Sequence, residues 1–326
     1  MPPRLFNRAA LREIAVLAED FIIIAFRLFR SGKLLESRVR TTQLMVSWVG
    51  ATPTMLGMVW FLLESTGGLP DRGASKTRLL WGLLLLKAHD TEKKNAAIVG
   101  GVDEGTFATW SWCFLEELSF LESYVIDWED RKIGDIGNDC MASVDCTDCL
   151  YKTHKLANGK PDKTFYTCKY KKSGLRYEVA LAILSSRIVW VSGPHLPGLY
   201  PDIAIFRKGL IHMLEDGERI EADKGYQGEA PRYCKTNDQS YPSCREDNGR
   251  IKARVQRRHE TINNRLKSYK ALDVVFRGSI RRHSICFRAA AVLLNLAFHS
   301  GEQELFDVRE YDDDLNDELV AEQLGL

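Results

Sequence analysis

Apolar residues recur at helical spacing through the first 120 positions, then alternate with polar ones from about residue 139. The helical stretches predicted are Leu11 to Arg30, about 53–64, 76–88, 91–99 and 103–122, with Arg27 and Arg30 interrupting the first. The run Met45 to Leu63 is apolar enough to raise the question of a membrane span. Thr52-Pro53 reads as an N-cap and first-turn proline that splits it, so a core helix is expected there instead. Gly67-Gly68-Leu69-Pro70-Asp71 breaks the chain before the next helix. The alternating region predicts strands at Met141 to Leu150, Thr164 to Tyr170, Arg176 to Leu184 and Ile188 to Ser192, with turns at Asn158-Gly159-Lys160-Pro161 and Lys172-Ser173-Gly174. A helix opened by Pro201-Asp202 runs to about Leu214, a short strand spans Arg219 to Ala222, and long helices fall at about 248–268 and 280–298.

Residues 88–118 have the layout of a helix-turn-helix. Thr91-Glu92 opens a short helix, Gly100-Gly101-Val102 makes the turn, and Asp103 caps a second helix carrying Thr106, Thr109, Trp110 and Trp112. A recognition helix offers its N-terminal residues to DNA, here Glu104, Thr106 and Thr109, with little positive charge. Two readings stand: direct base contact, or a helical packing subdomain with Trp110 and Phe114 in its core.

Composition sharpens this picture only where charge is uneven. The 326 residues suffice for one large domain or two ordinary ones, and 45% apolar residues can build a core. A net charge of +1 hides an acidic end: Glu302 to Leu326 carries ten acidic residues against Arg309 alone. Between Lys252 and Arg288, eleven Lys and Arg face only Glu260 and Asp273, an excess that suits a phosphate backbone. The eight cysteines are scattered, which suggests a reducing interior rather than a disulfide scaffold. Cys146-x-x-Cys149 has zinc-like spacing, but no second pair matches it, and the ordinary role of Cys146 is a small residue on a strand face.

Three acids stand in separate, recognisable settings: Asp145 in Ser-Val-Asp-Cys-Thr-Asp, Asp223 in Glu-Ala-Asp-Lys-Gly-Tyr, and Glu260 in a basic helix. The first two end apolar strand-like runs, and two strand ends with one helix can bring three carboxylates together. Two like charges about 5 Å apart repel by roughly 3 kcal/mol at an effective dielectric near 20, so such a cluster asks for cations. Hard oxygen ligands select magnesium or manganese. Two such ions about 3.5–4 Å apart serve in-line phosphoryl displacement. On this reading the chain is a metal-dependent nuclease or strand-transfer enzyme.

The ordered set resembles the catalytic triad of the DDE transposases, and of the PIF/Harbinger superfamily in particular. The residues that carry the resemblance are Asp145, Asp223-Lys224-Gly225-Tyr226, and Arg257-Arg258-His259-Glu260 followed by Asn263 and Arg265. Only 36 residues separate Asp223 from Glu260, which leaves no room for the inserted domain of some other DDE families. The resemblance covers roughly residues 35–300. It implies an α/β, ribonuclease H-like catalytic domain at 136–300, a mixed sheet with flanking helices. An all-helical region at 1–135, with the helix-turn-helix at about 88–118, precedes it, and an acidic tail at 301–326 follows. It also implies two Mg2+ (or Mn2+) ions held by Asp145, Asp223 and Glu260, with Asp202, Tyr226 and His259 in support. Lys224, Arg257, Arg258, Arg265, Lys267, Thr106 and Thr109 would then touch DNA. The implied reaction is phosphodiester hydrolysis that releases a 3′-hydroxyl, followed by strand transfer at transposon ends. The implied partners are transposon-end and target DNA, a Myb-like DNA-binding protein and further copies of the chain, without a membrane and in the nucleus. The alternative is a retired transposase kept as a DNA- or partner-binding module.

Overall fold

The computed structural model describes residues 5–29, 37–70, 73–133, 140–153, 161–236, 245–302 and 305, with only the backbone for 245–254. Asn158-Gly159-Lys160, Cys244 and most of the acidic tail lie outside these residues, as does the side chain of Ile251. The first half of the chain folds into helices α1 (Arg8–Leu28), α2 (Arg38–Val49), α3 (Pro53–Ser65), α4 (Lys76–Ala88), α5 (Glu92–Ile98), α6 (Glu104–Phe120) and the short α7 (Glu122–Val125). Their starts are written in the sequence. Asn7, Ser37, Thr52, Ser75, Thr91 and Asp103 each accept the amide three residues on, satisfying a donor that the helix itself leaves free. Among the described residues no single helix is long and apolar enough to cross a membrane; the apolar run is split between α2 and α3, inclined at 59°.

The second half builds a mixed sheet from β1 (Cys140–Leu150), β2 (Tyr166–Thr167), β3 (Lys172–Ala182), β4 (Ile188–His195), β5 (Arg219–Ala222) and β6 (Cys234–Lys235). Strand β3 pairs antiparallel with β1 on one side, and with β2 and β4 on the other. Strand β5 pairs parallel with β1, and β6 parallel with β5. The resulting order is β4-β3-β1-β5-β6, with the small β2 beside β4 on the β3 edge. Helices α8 (Asp202–Lys208), α9 (Arg245–Lys267), α10 (Lys270–Asp273) and α11 (Ile280–His299) flank it.

One sheet face carries Ala142, Val144, Ala180, Ile220 and Ala222, which pack with Phe206 of α8 and with Tyr226. The other face belongs to a core that runs without a break from Phe6 of the helical half through α11 to Tyr177 and Val179 of β3. Helix α11 is buried nearly all round, and Asn295 at its heart donates to Val125 O (2.7 Å) and Ile188 O (3.1 Å). Each fully buried leucine on it contributes roughly 1.5–3 kcal/mol. These contacts weld the helical region to the sheet.

Several expectations need correction. Lys172-Ser173-Gly174 is not a turn but the start of β3: Ser173 pairs with Tyr166 and Gly174 with Leu150. Glycine is needed there because a Cβ would stand 2.7 Å from Cys149 O. The expected strand Thr164 to Tyr170 shrinks to β2 after a 3-10 turn at Lys163–Phe165. The helix after Pro201 breaks at Gly209 and continues as a 3-10 turn at Leu210–Met213. The apolar run ends at Asp145, but the strand does not: β1 runs on to Leu150, as its alternation predicts, because β3 keeps pairing with it.

Candidate active site

The parallel pairing of β1 with β5 builds the site. Its last pair is Val144 with Ala222, so the next residues along the two strands are Asp145 and Asp223. Helix α9 closes the third side. An open cleft of about 270 Å³ is lined by Asp145 and Val144 of β1, Glu221, Ala222 and Asp223 of β5 and its end, and Val255, His259 and Glu260 of α9. Three acids far apart in sequence thus face one cleft, with Glu221 as a fourth carboxylate beside them.

The two aspartates are held by backbone and by a side chain of α9. Asp145 Oδ1 accepts the Cys146 amide at 2.8 Å, and Asn263 Nδ2 donates to Asp145 Oδ2 at 3.4 Å. Asp223 Oδ1 accepts the Gly225 amide at 2.7 Å. Burial first, and then the neighbouring Asp223, push the Asp145 carboxyl up to about 6. Lys169 pulls the other way, more weakly than Asp223 pushes. Crowded carboxylate oxygens of this kind are donors that could hold a divalent cation. Glu260 is exposed, and among the described residues no three His, Cys, Asp or Glu side chains converge into a finished coordination shell.

Two contacts fix α9 on β1. Ser143 Oγ and His259 Nε2 are 2.9 Å apart in a buried hydrogen bond, and one helical turn on, Asn263 meets Asp145. Burial pushes the His259 imidazolium down to about 3, with Arg258 adding to the fall, so His259 is a neutral clamp. Val255, Ile262, Leu266 and Tyr269 are buried along the same stripe.

Beneath the site, Arg176 forms a two-pronged bridge to Asp148 (2.7 and 3.0 Å) and reaches Asp202 Oδ1 at 2.6 Å. Asp202 is the first residue of α8. A Cβ at Gly225 would stand 2.9 Å from Asp223 Oδ1 and 3.2 Å from Asp202 Oδ2, so the missing side chain lets the two acids approach. Tyr226 is fully buried, with its hydroxyl 3.4 Å from Cys146 Sγ. Cys149 faces the other way into the larger core, which parts the Cys146/Cys149 pair between the two sheet faces.

No protein-family model, curated protein or solved structure matches the chain. What this site is rests on its own residues.

The residues expected to touch DNA divide. Lys224 and Arg257 are exposed. Thr106 and Thr109 are exposed on α6, where the Asp103 side chain caps the Thr106 amide. In the same helix Phe114 is buried in the core, whereas Trp110 is half-buried beneath Arg78. Lys267 donates to Tyr170 Oη at 2.8 Å, and Arg265 is half-buried against Phe298. Arg258 requires correction: it is 3% exposed, and its guanidinium donates to Ile183 O and Ser185 O. It ties α9 to the end of β3 and is not presented to a phosphate. Sequence reasoning gave no role to Ser143, Asn263 or Arg176. The spacing of Asn263 from His259, one helical turn, was the available signal for the second; nothing local marks the first or third.

Proposed function

We propose that this chain is a metal-dependent DNA endonuclease and strand-transfer enzyme of the DDE transposase type, related to the PIF/Harbinger superfamily. The observation that carries the reading is the meeting of Asp145, Asp223 and Glu260 in one cleft from three different elements. The strand order supports it too. Three antiparallel strands followed by two parallel ones, ordered β4-β3-β1-β5-β6, are compatible with the ribonuclease H-like fold this reading expects.

Asp145, Asp223 and Glu260 would hold magnesium or manganese, which when bound polarises the scissile phosphate and acidifies an attacking water. The chain's own part is positional. Backbone amides and Asn263 hold Asp145 and Asp223, Gly225 leaves room between Asp223 and Asp202, and the neutral His259 keeps α9 seated so that Glu260 stays at the cleft. Attack by water breaks the P–O3′ bond and leaves a 3′-hydroxyl. In the second step that hydroxyl takes the place of water as nucleophile on target DNA.

Nicking of supercoiled plasmid in magnesium, manganese or calcium tests the reading, with wild type beside Asp223→Asn and Glu260→Gln. Cleavage in magnesium or manganese that both substitutions abolish is expected; full activity in either variant overturns it. A second reading, a retired transposase that binds DNA or a partner without cutting, draws on the exposed Glu260 and the unfinished shell. Under that reading neither protein cuts and the wild type binds no manganese.

A further inference from the structure

We infer that the hairpin joining β2 to β3 is a grip for the DNA phosphate backbone beside the carboxylate cleft. The inference rests on the nuclease reading for the identity of its partner. The hairpin turn, Cys168 to Lys171, and the first residue of β3 present Lys169, Lys171 and Lys172, all exposed, and no carboxylate interrupts them. Asp162, the nearest acid before them among the described residues, is engaged with the Thr164 amide and hydroxyl at 2.9 and 2.8 Å. Lys171 has φ of 52°, a left-handed conformation that glycine or asparagine adopts more readily. A lysine at that position keeps charge at the tip at a conformational cost. Tyr166, 44% exposed on β2, adds an aromatic face that a merely solvated turn does not need and that a base can stack on.

The hairpin is anchored relative to the cleft. Its tip residue Tyr170 accepts from Lys267 Nζ at 2.8 Å, on the last turn of α9. Four residues earlier on the same helix, Asn263 meets Asp145. At about 1.5 Å rise per residue, the two anchoring positions on α9 are roughly 6 Å apart along its axis. Lys224, next to Asp223 in sequence, and Arg257, on the same helix as Glu260, are exposed as well, so the hairpin lysines add to cations carried by the elements that bear the acids.

The test is the salt dependence of DNA binding by the full chain carrying K169Q, K171N and K172T together. Asparagine accepts the left-handed turn and threonine suits a strand, so an unchanged melting temperature is expected. Fluorescence anisotropy with a labelled duplex, in calcium to prevent cutting, measures affinity across a range of KCl. Each lost phosphate contact removes about 0.9 from the slope of log K against log salt, so the triple variant should lose roughly 2–3 in slope. At least a tenfold weaker affinity near physiological salt accompanies that loss, while manganese binding is unchanged. The single variant K169Q, with an expected slope loss of about 0.9, serves if the triple variant folds poorly. A slope and affinity equal to wild type, or a wild type that binds no duplex, overturns the inference. If the hairpin variant loses slope while Asp223→Asn still nicks plasmid, the grip stands and the nuclease assignment falls. If nicking needs Asp223 but the slope is unmoved, the reverse holds.

Discussion

Replacing Asp145 by Asn should make the folded protein more stable at neutral pH, although it removes a proposed catalytic group. Burial and then Asp223 raise the Asp145 carboxyl from an ordinary 3.8 to about 6. Below the unfolded value both states hold the proton, and the carboxyl costs nothing. Between 3.8 and about 6 the unfolded chain ionises first, so stability falls as pH rises. Above about 6 both states are charged, and the whole cost stands. At 1.36 kcal/mol for each pH unit, the ceiling is roughly 3 kcal/mol. The cleft is open to water on one side, and screening lowers this to about 2 kcal/mol. Asparagine keeps an oxygen for the Cys146 amide and carries no charge against Asp223. Urea unfolding followed by circular dichroism from pH 4 to pH 8, without divalent ions, measures the effect. The gap between variant and wild type should be near zero at pH 4, reach about 2 kcal/mol by pH 7 and stay flat above it. Magnesium should narrow the gap, because the wild type alone gains from it. A variant no more stable than wild type at pH 8, or a gap that does not change with pH, refutes the crowding of Asp145 with Asp223.

Arg258→Met keeps the buried stem but strips two backbone carbonyls of their donors; it should cost about 2–4 kcal/mol in urea unfolding and leave DNA affinity within twofold. Weakened DNA binding at unchanged stability would restore Arg258 as a phosphate contact. Gly225→Ala drives a methyl between Asp223 and Asp202 and should lower cleavage at least tenfold while costing only about 1–2 kcal/mol of stability. Wild-type cleavage rates in that variant would mean the two acids have room to spare. Glu178 is fully buried, and burial pushes its carboxyl up to about 8. Glu178→Gln should therefore gain on wild type as pH rises from 5 to 8, with thermal unfolding as the readout; a constant difference would show that Glu178 is not held uncharged.

How far the sequence reveals this molecule depends on where each residue finds its partner. Helix starts are legible because a cap and its amide are three residues apart, as at Thr52, Ser75 and Asp103. The polar middle of β1 is not, because its partners come from far along the chain: Arg176 for Asp148, Tyr226 for Cys146, Asn263 for Asp145. Alternation carries the strand on to Leu150, but nothing local shows what pairs with Asp-Cys-Thr-Asp. Gly174 misled for the same reason, since the backbone that excludes its side chain belongs to β1. Arg258 is different. Val255, Ile262 and Leu266 define a buried stripe, and positions three and four after Val255 are Arg258 and His259. Helical phase alone therefore places both on the inner side, whereas Arg257 points outward. The same phase explains the site. Four residues of helix rise about 6 Å and two residues of strand about 6.6 Å, so the His259–Ser143 and Asn263–Asp145 contacts stay in step. With α9 locked to β1 at two points one turn apart, the residue between them that faces the cleft is Glu260.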